Sequence, residues 1–332
     1  MNVKIKKIGC YLPNRIVDNE ELVKEFTDWD AEKIEKKVGV RSRHVAAHNE
    51  TATDLAYEAC KKVLQDYDAT TIDSLILCTQ SPDYSLPASA CILQDRLGLN
   101  TDIGAFDLNL GCSGFVYGLA IAKGLLATGS AQTVLLATAE TLTKYIHPLD
   151  KPNRTIFGDG AAATIIEKSE KNGVFDFVLG TDGSGFENLM VKNSGHRNKY
   201  DPSAIESTDD QGNVRSDNHF FMDGTEVFNF TINSVPKAFD KILKKNNLSL
   251  DEIDYVIFHQ ANKFMLEYLR KIIKVPKEKF YINILEIGNT VSATIPIALK
   301  ECLDNKTISE GDKVLILGFG VGFSWAGTII EI

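Results

Sequence analysis

Asp107-Leu108-Asn109-Leu110-Gly111-Cys112-Ser113-Gly114-Phe115 decides how this chain is read. The apolar run at residues 104–110 predicts a buried strand. It stops at a glycine, and a helical pattern starts at once with Phe115, Leu119, Ala122 and Leu126. Cys112 is therefore expected at a strand-to-helix turn. Helix N-termini carry unpaired N–H groups and the positive end of the dipole, so an anion is favoured there. A thiol in that position is expected to have a lowered pKa and to act as a nucleophile. Gly111 and Gly114 permit the turn and leave room for a substrate. A cysteine among small residues can equally be packed core, and the rest of the chain decides between the two.

The 332 residues allow one large domain or two of about 150 each. No run of about eighteen apolar residues occurs, as a membrane span needs. The first residues alternate charge with Val and Ile and lack the apolar block of a signal peptide, so a cytoplasmic protein is expected. The six cysteines (Cys10, Cys60, Cys78, Cys91, Cys112 and Cys302) form no C-x-x-C pair, which argues against a disulfide framework and a zinc site. A net charge of −9 disfavours nucleic acid as a partner. It leaves room for a local basic patch that would dock an acidic protein.

Strand and helix patterns alternate along the chain. Strands are predicted at residues 3–10, 74–79, 104–110, 134–138, 161–167, 175–180, 255–258, 280–285, 314–317 and 325–330. Helices are predicted at 19–26, 30–38, 52–65, 88–97, 115–126, 226–245, 261–273 and 289–303, with loops at 141–153 and at a long polar insertion, 193–218, that reads as a lid. Mostly continuous apolar strands mean an α/β protein whose sheet is covered on both faces. The halves also repeat. Leu75-Ile76-Leu77-Cys78 plus a helix matches Val256-Ile257-Phe258-His259 plus a helix. Gly111-Cys112 opening a helix matches Gly288-Asn289 opening a helix, and Thr164-Ile165-Ile166-Glu167 matches Thr328-Ile329-Ile330-Glu331. Two similar halves are expected, residues 1–172 and 173–332, packed about a pseudo-two-fold axis. Ligands in such sheets bind at strand C-terminal ends. Cys112, His259 and Asn289 all fall at such ends, and this makes Cys112 a candidate nucleophile.

These residue types suit thioester chemistry. A thiolate takes an acyl group from a thioester. An imidazole N–H and a carboxamide N–H, both neutral, then hold the carbonyl oxygen of a second thioester and stabilise the enolate left when carbon dioxide departs. The carbanion attacks the acyl-cysteine. No metal or redox cofactor is called for, and no motif for one is visible. Phe319-Gly320-Val321-Gly322-Phe323 follows a predicted strand; its glycine-rich turn either aims a backbone N–H, that of Val321, at an oxyanion beside the N–H of Cys112 or is a simple turn between antiparallel strands. Gly158-Asp159-Gly160, its repeat mate, reads as structural.

In this order and spacing the motifs resemble those of the 3-oxoacyl-acyl-carrier-protein synthase III family of the thiolase-like superfamily. They are Gly111-Cys112-Ser113-Gly114-Phe115, Phe157-Gly158-Asp159-Gly160-Ala161, His259-Gln260-Ala261-Asn262, Gly288-Asn289-Thr290 and Phe319-Gly320-Val321-Gly322-Phe323-Ser324-Trp325, and the likeness covers essentially the whole chain. The resemblance implies a five-layered αβαβα homodimer and a ping-pong Claisen condensation of an acyl primer with malonyl-acyl carrier protein. It implies Cys112 as nucleophile and His259 with Asn289 as the decarboxylation pair. It places Leu86 across the dimer in the partner's acyl pocket, with Gly320 and Phe323 lining the pocket. It implies coenzyme A or carrier contacts at Trp29, Lys151 and Arg154.

The chain departs from the family pattern in five places, one of them a longer spacing from Trp29 to Gly39 than is usual. Val321 stands where a third glycine is usual. Lys263-Phe264 replaces an arginine, Lys151 stands at another arginine position, and the 193–218 insertion is longer than typical. These point to a specialised primer or an acyl-carrier donor. An acidic carrier would dock on a basic face, and Lys263, Arg270, Lys271, Lys274, Lys277 and Lys279 cluster on and after the helix that follows His259. Two rival readings stand beside the condensing enzyme. One is a same-fold acyltransferase serving a hydroxyl or amine without carbon dioxide release. The other is a non-catalytic scaffold, which the intact Cys-His-Asn set argues against.

Overall fold

The computed structural model describes residues 2–26 and 29–332. Its first sheet has five strands in the order Val3–Tyr11, Gly160–Lys168, Thr133–Glu140, Ser74–Cys78, Gly104–Leu108. The first two pairings are antiparallel and the last two parallel. The second sheet runs Val178–Thr181, Ser324–Glu331, Lys313–Gly320, Tyr255–Phe258, again with two antiparallel pairings and then a parallel one. A parallel bridge from Val256 to Phe280 marks where a fifth strand would lie. Both sheets thus have the same order and sense.

Side chains alternate across each strand, and here both faces are apolar. In the first sheet Leu75, Leu77, Leu135 and Ala137 face the outer helices Ala52–Leu64 and Ser89–Arg96. Ile76, Val134 and Leu136 face inward. In the second sheet Leu315 and Leu317 face the helices Gly224–Lys245 and Lys263–Ile272, while Val314 and Ile316 face inward. Between the sheets lie two helices, Gly114–Thr128 and Thr294–Asp304. Phe115, Leu119 and Leu126 from one share a core cluster with Ile295, Ala298 and Leu299 from the other. The layers are therefore helix, sheet, helix pair, sheet, helix, the αβαβα arrangement expected.

Several boundaries differ from the sequence reading. Residues 280–285 do not form a strand beyond the bridge at Phe280. The Gln260 side chain takes the hydrogen bonds a neighbouring strand would have made: it accepts from Asn283 N–H at 3.0 Å and donates to Phe258 O at 2.7 Å. The 141–153 loop contains the start of a helix, Lys151–Ile156, capped by Asp150. The helix expected from 289 starts at Thr294, after a 3₁₀ turn at Val291–Ala293. The helix expected from 261 starts at Lys263, because Asn262 caps it by accepting from Met265 N–H at 2.9 Å. The 193–218 insertion holds a small hairpin, Ser207–Thr208 with Val214–Arg215, and its flanks pair as Leu189–Val191 with Phe220–Met222.

Phe258 anchors the second half. It is fully buried, and its ring meets Phe239, Phe280 and Phe319 edge-on at 6.2, 5.2 and 6.1 Å. Phe258→Ala is expected to cost about 3–5 kcal/mol of unfolding free energy, measured by denaturant titration. A loss under about 1 kcal/mol would mean that the surrounding rings collapse into the space.

Candidate active site

Cys112 lies in the turn between the strand Gly104–Leu108 and the helix Gly114–Thr128. The turn closes with Gly114 N–H on Gly111 O at 2.8 Å. The other half presses close. A Cβ on Gly320 would stand 2.7 Å from the Cys112 Sγ, so only glycine lets that strand end pass the sulfur. The Val321 N–H donates to the Cys112 sulfur, and the N–H of Cys112 itself also favours the thiolate. The two N–H groups expected at an oxyanion thus converge on the Cys112 sulfur.

The pKa expectation is corrected. The Cys112 thiol is not lowered; burial pushes it up to about 12, and the charge of Glu140 adds to the rise. The N–H bonds pull the other way but do not match the cost of taking a thiolate out of water. At neutral pH Cys112 is a protonated thiol. Alkylation of Cys112 by iodoacetamide, followed by peptide mass, is expected to climb about tenfold per pH unit through pH 10. An ordinary thiol would level off above about pH 8.5, and such a plateau would contradict the structure.

His259 ends the strand Tyr255–Phe258, with its N–H on Leu317 O at 2.9 Å. The ring is 2% exposed, and burial lowers its pKa to about 3, so it is neutral. Its Nδ1 lies 2.7 Å from Thr294 Oγ1, whose one proton goes to Val291 O at 3.0 Å. This network assigns the imidazole proton to Nδ1 and leaves a lone pair on Nε2. The expectation of a resting imidazole N–H donor is corrected accordingly: Nε2 becomes a donor only after it takes up a proton.

Asn289 is held at both backbone groups by the other half. Its N–H donates to Ile156 O at 2.9 Å, and its C=O accepts from Gly158 N–H at 3.0 Å. Its Oδ1 accepts from Val291 N–H at 2.9 Å, which turns Nδ2 toward His259 Nε2 at 3.5 Å. Val291 has φ 55°, a left-handed backbone that costs a β-branched residue about 1–3 kcal/mol. Asp159, in the glycine motif read as structural, is buried and accepts from the N–H groups of Ala46 and Thr143.

Cys112, His259 and Asn289 line one cavity of about 250 Å³. Its walls are mainly apolar, with Leu142, Phe157, Leu189, Phe220, Met222 and Val227 facing in, together with Gly320 and Val321. The other expected contacts scatter. Phe323 does not line the cavity; its ring stacks on Phe230 at 4.3 Å, in space that Gly185 leaves free. Leu86 lies outside the cavity and is 80% exposed. Trp29 has Lys37 Nζ over its ring at 5.6 Å and lines a separate groove with Lys33 and Gln211. Arg154 is not free for a ligand, because it is paired with Glu25 and bonded to Pro148 O. Lys151 lies over the Phe26 ring at 5.9 Å.

On the helix Lys263–Ile272, Arg270 is turned inward onto Glu267 and Val275 O. Lys279 is likewise tied to Ile253 O. Lys263, Lys271, Lys274 and Lys277 stay exposed. Exposed Phe264 and Tyr268 lie among them. Sequence reading missed Thr294, Ser292 and Glu140. Only Glu140 carried a signal, as a carboxylate closing the apolar run Thr133–Glu140.

Similarity to known proteins shows the family. The family model for 3-oxoacyl-[acyl-carrier-protein] synthase III matches residues 106–183, and the model of that family's C-terminal part matches residues 243–332. Beta-ketoacyl-[acyl-carrier-protein] synthase III of Clostridium perfringens is 35% identical over 100% of this chain and 99% of its own length. This chain belongs to the 3-oxoacyl-[acyl-carrier-protein] synthase III family. A relative of the same name from Caldanaerobacter subterraneus subsp. tengcongensis is 37% identical over 97% of this chain and 96% of its own. A crystal structure of a 3-oxoacyl-(acyl-carrier-protein) synthase III superposes with a TM-score of 0.98 at 48% identity, covering all of both chains. The 3-oxoacyl-(acyl-carrier protein) synthase of Burkholderia xenovorans LB400 follows at 0.93 and 37%, over 100% of this chain and 94% of that one. As a synthase III chain this protein is an enzyme of the thiolase-like fold. Among the described residues, no helix is long and apolar enough to cross a membrane.

Proposed function

We propose that this chain condenses an acyl thioester primer with malonyl-acyl carrier protein, releasing carbon dioxide and giving a 3-oxoacyl-acyl carrier protein. One observation carries this reading. A nucleophilic cysteine from one half meets a neutral His-Asn pair from the other around an apolar cavity of about 250 Å³.

In the first half-reaction the Cys112 sulfur attacks the primer carbonyl. Its proton passes to the lone pair on His259 Nε2 and on to the departing thiolate, so acyl transfer is proton-neutral. The tetrahedral oxyanion lies at the N–H groups of Cys112 and Val321. In the second half-reaction the malonyl thioester oxygen sits at Asn289 Nδ2. The substrate carboxylate offsets a positive charge on His259, whose Nε2 takes up the one proton the reaction consumes and becomes the second donor. Carbon dioxide leaves, the enolate carbon attacks the acyl-cysteine, and the tetrahedral adduct expels the Cys112 thiolate. That thiolate takes the proton from Nε2.

The chemistry calls for no resident cofactor; coenzyme A or phosphopantetheine thioesters enter as substrates. The acidic carrier protein is the proposed partner, with exposed Lys263, Lys271, Lys274 and Lys277 supporting it. A homodimer is supported by the exposed apolar loop at Tyr84 and Leu86, 63% and 80% accessible in the single chain. A cytoplasmic setting and a place in fatty acid biosynthesis complete the reading.

The test is intact mass after exposure to a panel of acyl-coenzyme A and acyl-carrier thioesters, followed by malonyl-carrier protein. An acyl adduct that is discharged with release of labelled carbon dioxide supports the condensation. An adduct discharged to a hydroxyl or amine acceptor, with no carbon dioxide, overturns it.

A further inference from the structure

Glu140 is a fully buried carboxyl that the reaction above does not use. It ends the strand Thr133–Glu140, at the same sheet edge as the end of Ser74–Cys78. Gln80 N–H donates to its two oxygens at 3.0 and 3.2 Å, and Ser81 Oγ donates at 2.9 Å. These partners belong to the half that carries Cys112. The remaining bond crosses over: Ser292 Oγ donates to Glu140 Oε1 at 3.2 Å, and both groups are buried.

Ser292 follows Val291, the residue in left-handed backbone. Val291 is the node of the donor pair. Its N–H fixes the Asn289 amide, and its C=O takes the hydroxyl proton of Thr294, which in turn orients His259. A β-branched residue keeps such a backbone only where the surroundings over-determine it. Ser292 supplies the side-chain bond that anchors this turn to the other half. Burial pushes the Glu140 carboxyl up to about 8, a cost that its four hydrogen bonds reduce.

We propose that Glu140 is a positioning residue: through Ser292 it holds the strained Val291 turn and so aims Asn289 and His259 at the cavity that Cys112 enters from the opposite half. The proposal rests on the condensation reading above. It predicts a split between the half-reactions. Acylation needs the Cys112 turn, which keeps its own supports, and only a lone pair on His259 Nε2, so a tautomer mixture lowers it no more than by the share of rings that lose that lone pair. Decarboxylation needs the Asn289 amide and His259 Nε2 in register, and a misplacement of about 1 Å costs on the order of 100-fold.

Ser292→Ala is the primary variant, with Ser292→Thr as the conservative rescue and Glu140→Gln as the second probe. Expected for Ser292→Ala and Glu140→Gln is acylation within about twofold of wild type, with carbon dioxide release from malonyl-carrier protein down by tenfold or more. Ser292→Thr is expected to restore it. Imidazole ¹⁵N spectra give a readout independent of turnover: wild type is expected to show His259 protonated at Nδ1, and Ser292→Ala a mixture of tautomers. Equal loss of both half-reactions with a lowered melting temperature would assign Glu140 a structural role only. Wild-type decarboxylation and an unchanged tautomer in Ser292→Ala would overturn the proposal. If wild type itself releases no carbon dioxide, the condensation reading fails, and the ¹⁵N comparison still decides whether the clamp exists.

Discussion

Cys112→Ala is expected to carry no acyl adduct with any thioester that labels the wild type, and to lose at least about 10⁴-fold in turnover. The effect is large because the cavity offers no substitute nucleophile: its other polar lining groups are Gln80, Thr231, His259, Asn262 and Asn289. Cys78 lies nearby but cannot stand in. Its Sγ is bonded to Leu110 O at 3.1 Å, and a Cβ on Gly114 would come within 2.3 Å of it, so it is sealed behind the turn. The fold should survive the change, since Cys112 is small and its turn is held by backbone bonds. Intact mass and initial rates on the same samples make the check. A persisting adduct in the variant would move the nucleophile elsewhere and falsify the assignment.

The second large effect separates the two donors. Asn289→Ala removes a group that acts only once the malonyl thioester is bound. It is expected to leave acylation of Cys112 nearly intact and to lower carbon dioxide release by about 10²–10³-fold. His259→Ala removes the proton acceptor as well as a donor, so both half-reactions are expected to fall, acylation by about 10²-fold or more. Single-turnover acylation measured apart from labelled carbon dioxide release distinguishes the variants. If His259→Ala acylated at the wild-type rate, the Nε2 lone pair would have no part in taking the thiol proton. The transfer would then run through solvent.

Both expectations depend on features a sequence shows unequally. Cys112, His259 and Asn289 were legible because each follows an apolar run and precedes a helical pattern. Strand ends on one side of an α/β sheet gather whatever stands there. Phe323 was misplaced for a related reason: its glycine-rich neighbourhood marks the turn correctly, but the direction of the ring depends on the gap at Gly185 and the face of Phe230. Arg154 and Arg270 looked like free cations, and Glu25 and Glu267 occupy them. The strand expected over 280–285 had the right apolar residues, but one glutamine side chain took the place of a neighbouring strand's backbone.

The sequence by itself determined the layers, their order and their duplication. Alternating apolar strands and amphipathic helices leave few ways to bury both faces of two sheets. It also determined which three residues meet, because their positions at strand ends follow from that order. The tertiary structure alone decided their ionisation and aim. The thiol stays protonated because burial removes water from around the sulfur, and no local motif records burial. The His259 proton is placed by Thr294, 35 residues away, and the Val291 turn is held by Glu140, 152 residues from Ser292. Hydrogen bonds between distant segments form only where packing delivers both partners to one place.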